Sequence, residues 1–134
     1  MKVIVDTVIW SLVFRRQAAE STCRDLLADL ISDGRVVLLG AVRQEVLSGI
    51  RHAEQFERLK QALRAFPDQA LDIEDYELAA KYFSLCRSKG IQGANTDFLI
   101  CAASVRRKYE ILTTDRDFTH FATVLPIMQS NFGR

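Results

Sequence analysis

The chain has 134 residues, 49% apolar and 26% charged, which is enough to fill one hydrophobic core and too apolar for a disordered segment. Eighteen Lys and Arg stand against seventeen Asp and Glu, a formal net charge of +1. Binding of nucleic acid by bulk positive charge is thereby excluded, and any such contact must be local. The composition predicts a single domain over residues 1–134 with no membrane association, since no apolar run approaches the roughly 20 residues of a spanning helix. Asp6 interrupts what would be the apolar stretch of a signal peptide. Cys23, Cys86 and Cys101 are dispersed and form no Cys-x-x-Cys pair, the pattern of reduced core thiols in a cytoplasmic protein.

In chain order, the β-branched run 3–5 predicts a buried strand that ends at Asp6-Thr7 and feeds a helix over 8–14. Residues 18–31 set Cys23, Leu26, Leu27, Leu30 and Ile31 at three- and four-residue steps, an amphipathic helix closed by Asp33-Gly34. The run 36–39 reads as a second strand. Gly40-Ala41 then opens a helix with Val42, Val46 and Leu47 on one face and Glu45 inside it. Helical spacing returns through Phe56, Leu59 and Leu63 until Pro67 stops it, and 71–73 reads as a short edge strand. A helix over 75–86, a loop at 90–93 and a helix from Asn95-Thr96-Asp97 to about Lys108 follow. Residues 111–113 form a third strand, Asp115 caps a short helix through Phe118 and Phe121, and 124–127 form a fourth strand. Short strands that are apolar on both faces and alternate with helices predict an α/β fold, a mostly parallel sheet of four to five strands covered on both sides.

Ligands of such sheets collect beyond the carboxyl ends of the strands, and Asp6 and Asp115 each follow an apolar strand directly. Asp97 sits in a first helical turn, where exposed amides favour a negative charge, and Glu45 rides on the helix after the second strand. Taken singly, each acid has a plainer use as a cap, a first-turn acid or a solvated helix residue. Their common placement is what suggests convergence. Two unit charges about 4 Å apart repel by roughly 4 kcal/mol at an effective dielectric near 20, so such a cluster calls for a cation. All-oxygen donors suit Mg²⁺ or Mn²⁺, and acid-rich sites without a catalytic His or Lys suit phosphodiester cleavage by a metal-activated water.

Four stretches carry a resemblance. They are Val5-Asp6-Thr7 with Trp10 and Ser11; Gln44-Glu45-Val46-Leu47-Ser48-Gly49; Thr96-Asp97-Phe98-Leu99-Ile100-Cys101-Ala102-Ala103; and Leu112-Thr113-Thr114-Asp115-Arg116-Asp117-Phe118. In order and spacing they resemble the PIN-domain ribonucleases, and the length and strand-then-Asp opening resemble VapC, the toxin of VapBC toxin-antitoxin modules. The resemblance implies a three-layer α/β/α fold and a Mg²⁺- or Mn²⁺-dependent endoribonuclease leaving a 5′-phosphate. It also implies that Asp6, Glu45 and Asp97 hold metal with Asp115 as the fourth acid, Asp117 being the alternative, and that Thr7 or Ser11 supports the site. A VapB-like antitoxin lying over the acidic cleft and a homodimer are implied in the same way, with Val46, Leu47, Phe56, Leu59 and Leu63 available to line a helix-in-groove contact.

Basic residues near helix ends and loops, Arg15, Arg16, Arg43, Arg51, Arg87, Lys89 and Arg116, are available to follow RNA phosphates, although a mixed solvated surface explains each singly. Trp10 is a base-stacking candidate or a core residue. His52 and His120 lack metal-ligand spacing, and Cys101 interrupts an apolar helical face. Two other readings stand beside the nuclease: a degenerate PIN-like module that only binds a partner, and a phosphatase acting on a small substrate.

Overall fold

The structure is a computed structural model that describes residues 1–15 and 21–130. The elements run β1 (Val3–Val5), α1 (Thr7–Arg15), α2 (Ser21–Ser32), β2 (Val36–Val37), α3 (Gly40–Ser48), α4 (Ala53–Leu63), α5 (Ile73–Ser88), α6 (Asn95–Arg107), β3 (Glu110–Leu112), α7 (Asp117–Phe121) and β4 (Met128–Gln129). The four strands form one parallel sheet in the order β2-β1-β3-β4, the α/β architecture expected. Residues 18–20, where the sequence starts its second helix, and Arg16 lie outside the described residues.

Two expected strands are placed differently. Residues 71–73 do not form an edge strand, because Asp72 accepts the Asp75 N–H (3.1 Å) while Asp75 accepts the Asp72 N–H (2.8 Å). This reciprocal cap starts α5 at Ile73 and overrides the β preference of that residue. The fourth strand is Met128–Gln129 rather than 124–127. Val124 and Leu125 both donate back to the Phe121 carbonyl, Leu125 enters the core, and Pro126 has no amide for a ladder.

Because β1 lies between β2 and β3, its three residues are wholly buried, and each such aliphatic side chain contributes about 2 kcal/mol of burial. Trp10 is also wholly buried. Its indole N–H donates to the Val5 carbonyl (3.2 Å), and its ring stacks on Phe14 and meets Phe66 edge-on, so it is a core residue and the base-stacking alternative fails. Val46, Leu59 and Leu63 are core residues too, which removes them from an exposed groove; only Leu47 and Phe56 of that expected set are half-buried. Among the described residues no helix is long and apolar enough to cross a membrane.

Two arginine clusters tie the helical layers together. Arg43 on α3 donates to the Leu63 and Phe66 carbonyls and to Asp68 (2.8 Å), closing the end of α4. On the α5–α6 contact, the wholly buried carboxylate of Asp75 takes Arg106 (2.8 Å) and both Nη atoms of Arg107 (2.7 and 2.8 Å). Arg106 also reaches Asp72 and Glu74.

Candidate functional site

The chain leaves β1 to reach β2 on one side while β3 flanks the other, and at that divergence the strand ends open a crevice. Asp6 is the first residue beyond β1. Its Oδ1 accepts the Thr7 N–H at the start of α1 (2.7 Å), and its Oδ2 accepts the Thr113 hydroxyl (2.7 Å). Strand register causes the second contact: Val5 pairs with Leu112, so the next residue of each strand stands side by side, and the Asp6 N–H bonds the Leu112 carbonyl. Thr113 Oγ1 in turn accepts the Asp115 N–H (3.0 Å), so one hydroxyl joins the loops that carry two acids. Asp115 Oδ1 accepts the Asp117 N–H (2.9 Å), a cap-like turn into α7.

Glu45 projects from the second turn of α3, where its Oε1 accepts the Thr7 hydroxyl (2.7 Å). Asp97 occupies the first turn of α6 and accepts the Ala94 N–H (2.9 Å). A groove of about 530 Å³ runs along Thr7, Ala41, Gln44, Glu45, Ser48 and Thr96.

Burial pushes Asp97 up to about 6; the Ala94 N–H opposes the shift, and Asp6, Asp115 and Glu45 each add repulsion. Burial and three like charges thus outweigh the Ala94 amide that favours the charged form. Asp6 is raised for the same leading reason, with the Thr113 and Thr7 bonds opposing and Asp115 and Glu45 adding to it. Asp6 and Asp97 thus each stand near enough to Glu45 and Asp115 to feel their charge. Among the described residues none of them forms a salt bridge.

Among the described residues no three carboxylate, imidazole or thiol side chains already stand at metal-ligand spacing. The donor set nevertheless has the chemistry of a hard-cation site: carboxylate oxygens only, oriented by amides and hydroxyls and mutually repelling. Glu45, Asp97 and Asp115 each accept one of these bonds through a single carboxylate oxygen.

The remaining sequence candidates divide. Thr7 bonds Glu45, whereas Ser11, one turn further along α1, is half-buried and its hydroxyl makes no hydrogen bond among the described residues. Asp117 is exposed in the first turn of α7, where its N–H donates to Asp115 Oδ1. The guanidinium of Arg43 is committed to the chain's own oxygens, which corrects its expected availability to RNA. Arg51, Arg87, Lys89 and Arg116 are exposed, as are His52 and His120. Cys101 is wholly buried and its thiol is held protonated by burial. Sequence reasoning missed two features, the Thr113 hydroxyl and the Asp75 cluster. The first follows from aligning the residues after the two apolar strands; the second was signalled by the Asp72-x-x-Asp75 capping spacing.

The family model of the PIN domain matches residues 3–124. No curated protein matches the chain in sequence. Among solved structures, VapBC2 from Rickettsia felis bound to a DNA fragment from its promoter aligns with a TM-score of 0.79 at 16% identity, covering 98% of this chain and 99% of that one. FitAcB from Neisseria gonorrhoeae aligns at 0.76 and 20% identity, covering 96% of each. VapBC-1 from nontypeable Haemophilus influenzae aligns at 0.73 and 14% identity over the whole of both chains. At these identities the likenesses show the fold.

Proposed function

Because this chain belongs to the PIN-domain family, we propose that it is a divalent-metal-dependent endoribonuclease and the toxin of a VapBC-type toxin-antitoxin pair. One observation carries the reading: beside the carboxyl end of the parallel sheet Asp6 and Asp97 each feel the charges of Glu45 and Asp115, and among the described residues none of the four forms a salt bridge. Asp6, Glu45, Asp97 and Asp115 would hold Mg²⁺ or Mn²⁺. Such an ion supplies Lewis acidity to a phosphoryl oxygen and makes water a usable nucleophile near neutral pH.

The chain's own contribution is orientation. Thr113 and the Thr7 amide hold the two oxygens of Asp6, the Thr7 hydroxyl aims Glu45, and the Ala94 amide steadies Asp97. The open groove beside Glu45 and Thr96 admits a single strand without requiring a deep pocket. An antitoxin covering this crevice and a homodimer belong to the same proposal, supported by the fold shared with chains from VapBC and FitAcB structures. A cytoplasmic location fits the burial of all three cysteines.

The test is cleavage of single-stranded RNA by the purified chain in Mn²⁺ and in EDTA, followed on a gel. Cleavage in Mn²⁺, abolished by EDTA and by either Asp6→Asn or Asp97→Asn, is expected. Metal-independent cleavage, or full activity in both variants, would reject the mechanism. Hydrolysis of a phosphomonoester without RNA cleavage would favour the phosphatase reading, and no Mn²⁺ uptake by calorimetry would favour the binding module.

A further inference from the structure

A nuclease whose centre is a cluster of acids must hold its polyanionic substrate with cations placed outside that cluster. Several arginines are already engaged, Arg43 with α4 and Asp68, Arg106 and Arg107 with the Asp75 cluster, and the exposed Arg116 stands directly beside Asp115. Arg87 differs. It is exposed at the end of α5, its guanidinium lies 5.4 Å from the centroid of the Phe83 ring, and among the described residues no carboxylate pairs with it or with Lys89. A guanidinium held over an aromatic face keeps its charge and presents a flat surface on which a base can stack.

That cation stands at the mouth of a cavity of about 280 Å³ lined by Phe83, Arg87, Ile91, Gln92, Gly93 and Phe98. The cavity adjoins the acid site through the chain itself. Gly90, at φ +76°, turns the backbone out of α5. The following loop then lies so close over the aromatic cluster that a Cβ at Gly93 would stand 2.6 Å from Phe121 Cζ. The next residue, Ala94, donates its amide to Asp97. Phe98, which also lines the cavity, directly follows Asp97 and packs edge-on against Phe83 at 5.2 Å.

We propose that this cavity is a substrate subsite: an unpaired RNA base enters against Phe83 and the Arg87 guanidinium, while Arg87 and Lys89 contact the adjoining phosphates. The proposal rests on the nuclease reading and adds to it where the strand lies, across the 90–93 loop rather than only along the Glu45 groove. A single-stranded polyanion is favoured over a peptide because the mouth is cationic and unpaired, and the cavity offers a π-face with one planar cation instead of a row of apolar anchors at helical spacing.

The experiment measures steady-state cleavage of a fluorescently labelled single-stranded RNA of mixed sequence in Mn²⁺ over a series of KCl concentrations. For Arg87→Ala the expected result is a KM raised about tenfold, kcat within twofold and unchanged Mn²⁺ affinity by calorimetry. The slope of log KM against log salt should flatten by about 0.7, the value for one lost phosphate contact on a single strand. Arg87→Lys should restore the slope while recovering only part of the affinity, because an ammonium keeps the charge without the stacking plane. Lys89→Ala should change the slope alike with a smaller rise in KM. An unchanged KM and salt slope in Arg87→Ala, in a wild type that does cleave RNA with Mn²⁺, overturns the subsite and leaves the nuclease reading intact. So does a change of oligomeric state by light scattering without a change in KM, which would make the cavity a protein contact. A wild type that cleaves no RNA removes the parent reading and the subsite together.

Discussion

Two buried aspartates on this molecule have opposite surroundings. Asp75 is wholly buried between α5 and α6 with Arg106 and Arg107 around it, and its carboxyl is driven well below the usual range, chiefly by the bonds from Arg107. Asp6 is almost as buried, but its partners are a hydroxyl and an amide, its neighbours are other acids, and its carboxyl is driven upward by burial. The first cluster is internally neutralised and staples two helices. The second leaves carboxylates that form no salt bridge with any described side chain.

The largest effect is expected for Asp75→Ala. It leaves two arginines facing a buried void and removes one half of the reciprocal cap of α5, so unfolding in urea should show a loss of about 3 kcal/mol. Little or no loss would mean that the arginine cluster contributes nothing and that the contrast is one of appearance. Addition of Mn²⁺ at a hundred times its Kd should instead stabilise the wild type by about 2.7 kcal/mol, with Asp97→Asn responding far less. Equal responses would place the ion elsewhere.

A finer test concerns the hydroxyl that joins Asp6 to the Asp115 loop. Thr113→Val keeps the shape and deletes the bond, and Mn²⁺ affinity by calorimetry should fall about tenfold, with Thr113→Ser near wild type. A loss in both variants would point to the methyl group and to packing.

The smallest effect is the pH profile without metal. Asp97 is raised from 3.8 to about 6 in the folded chain, so the native state binds more protons than the unfolded one between those values. Stability in EDTA should therefore fall as pH rises from about 4 to about 6, by about 1 kcal/mol once solvent screening is allowed for, and then level off. Asp75 works in the other direction: its contribution is complete above its ordinary pKa of 3.8 and is lost as pH falls below it. Thermal melts in EDTA across pH 3 to 8 should thus show a maximum between the two windows, and a stability that climbs steadily to pH 8 would contradict the repulsive acid cluster.

Much of this organisation was legible in local pattern. The apolar runs at 3–5, 36–39 and 111–113 overlap three of the four parallel strands; Asp6 and Asp115 were selected by standing after strands, Glu45 by its helix after the second strand, and Asp97 by its place in a first helical turn. Pattern failed where two local preferences competed. Ile73 reads as β but follows a capping aspartate, and the apolar 124–127 run contains a proline and a residue claimed by the core. It also failed for side chains whose use depends on a distant partner, such as Arg43 and Trp10.

By itself the sequence determined the layer architecture and the placing of Asp6 and Asp115 beyond strands, because hydrophobic periodicity and capping are properties of neighbouring residues. Tertiary structure alone decided which acids are neutralised and which are not. Asp6 and Asp75 are the same side chain at similar burial, and what separates them is whether pairing across the sheet brings a threonine or helix packing brings an arginine, a contact made over more than thirty residues of chain in one case and over a hundred in the other.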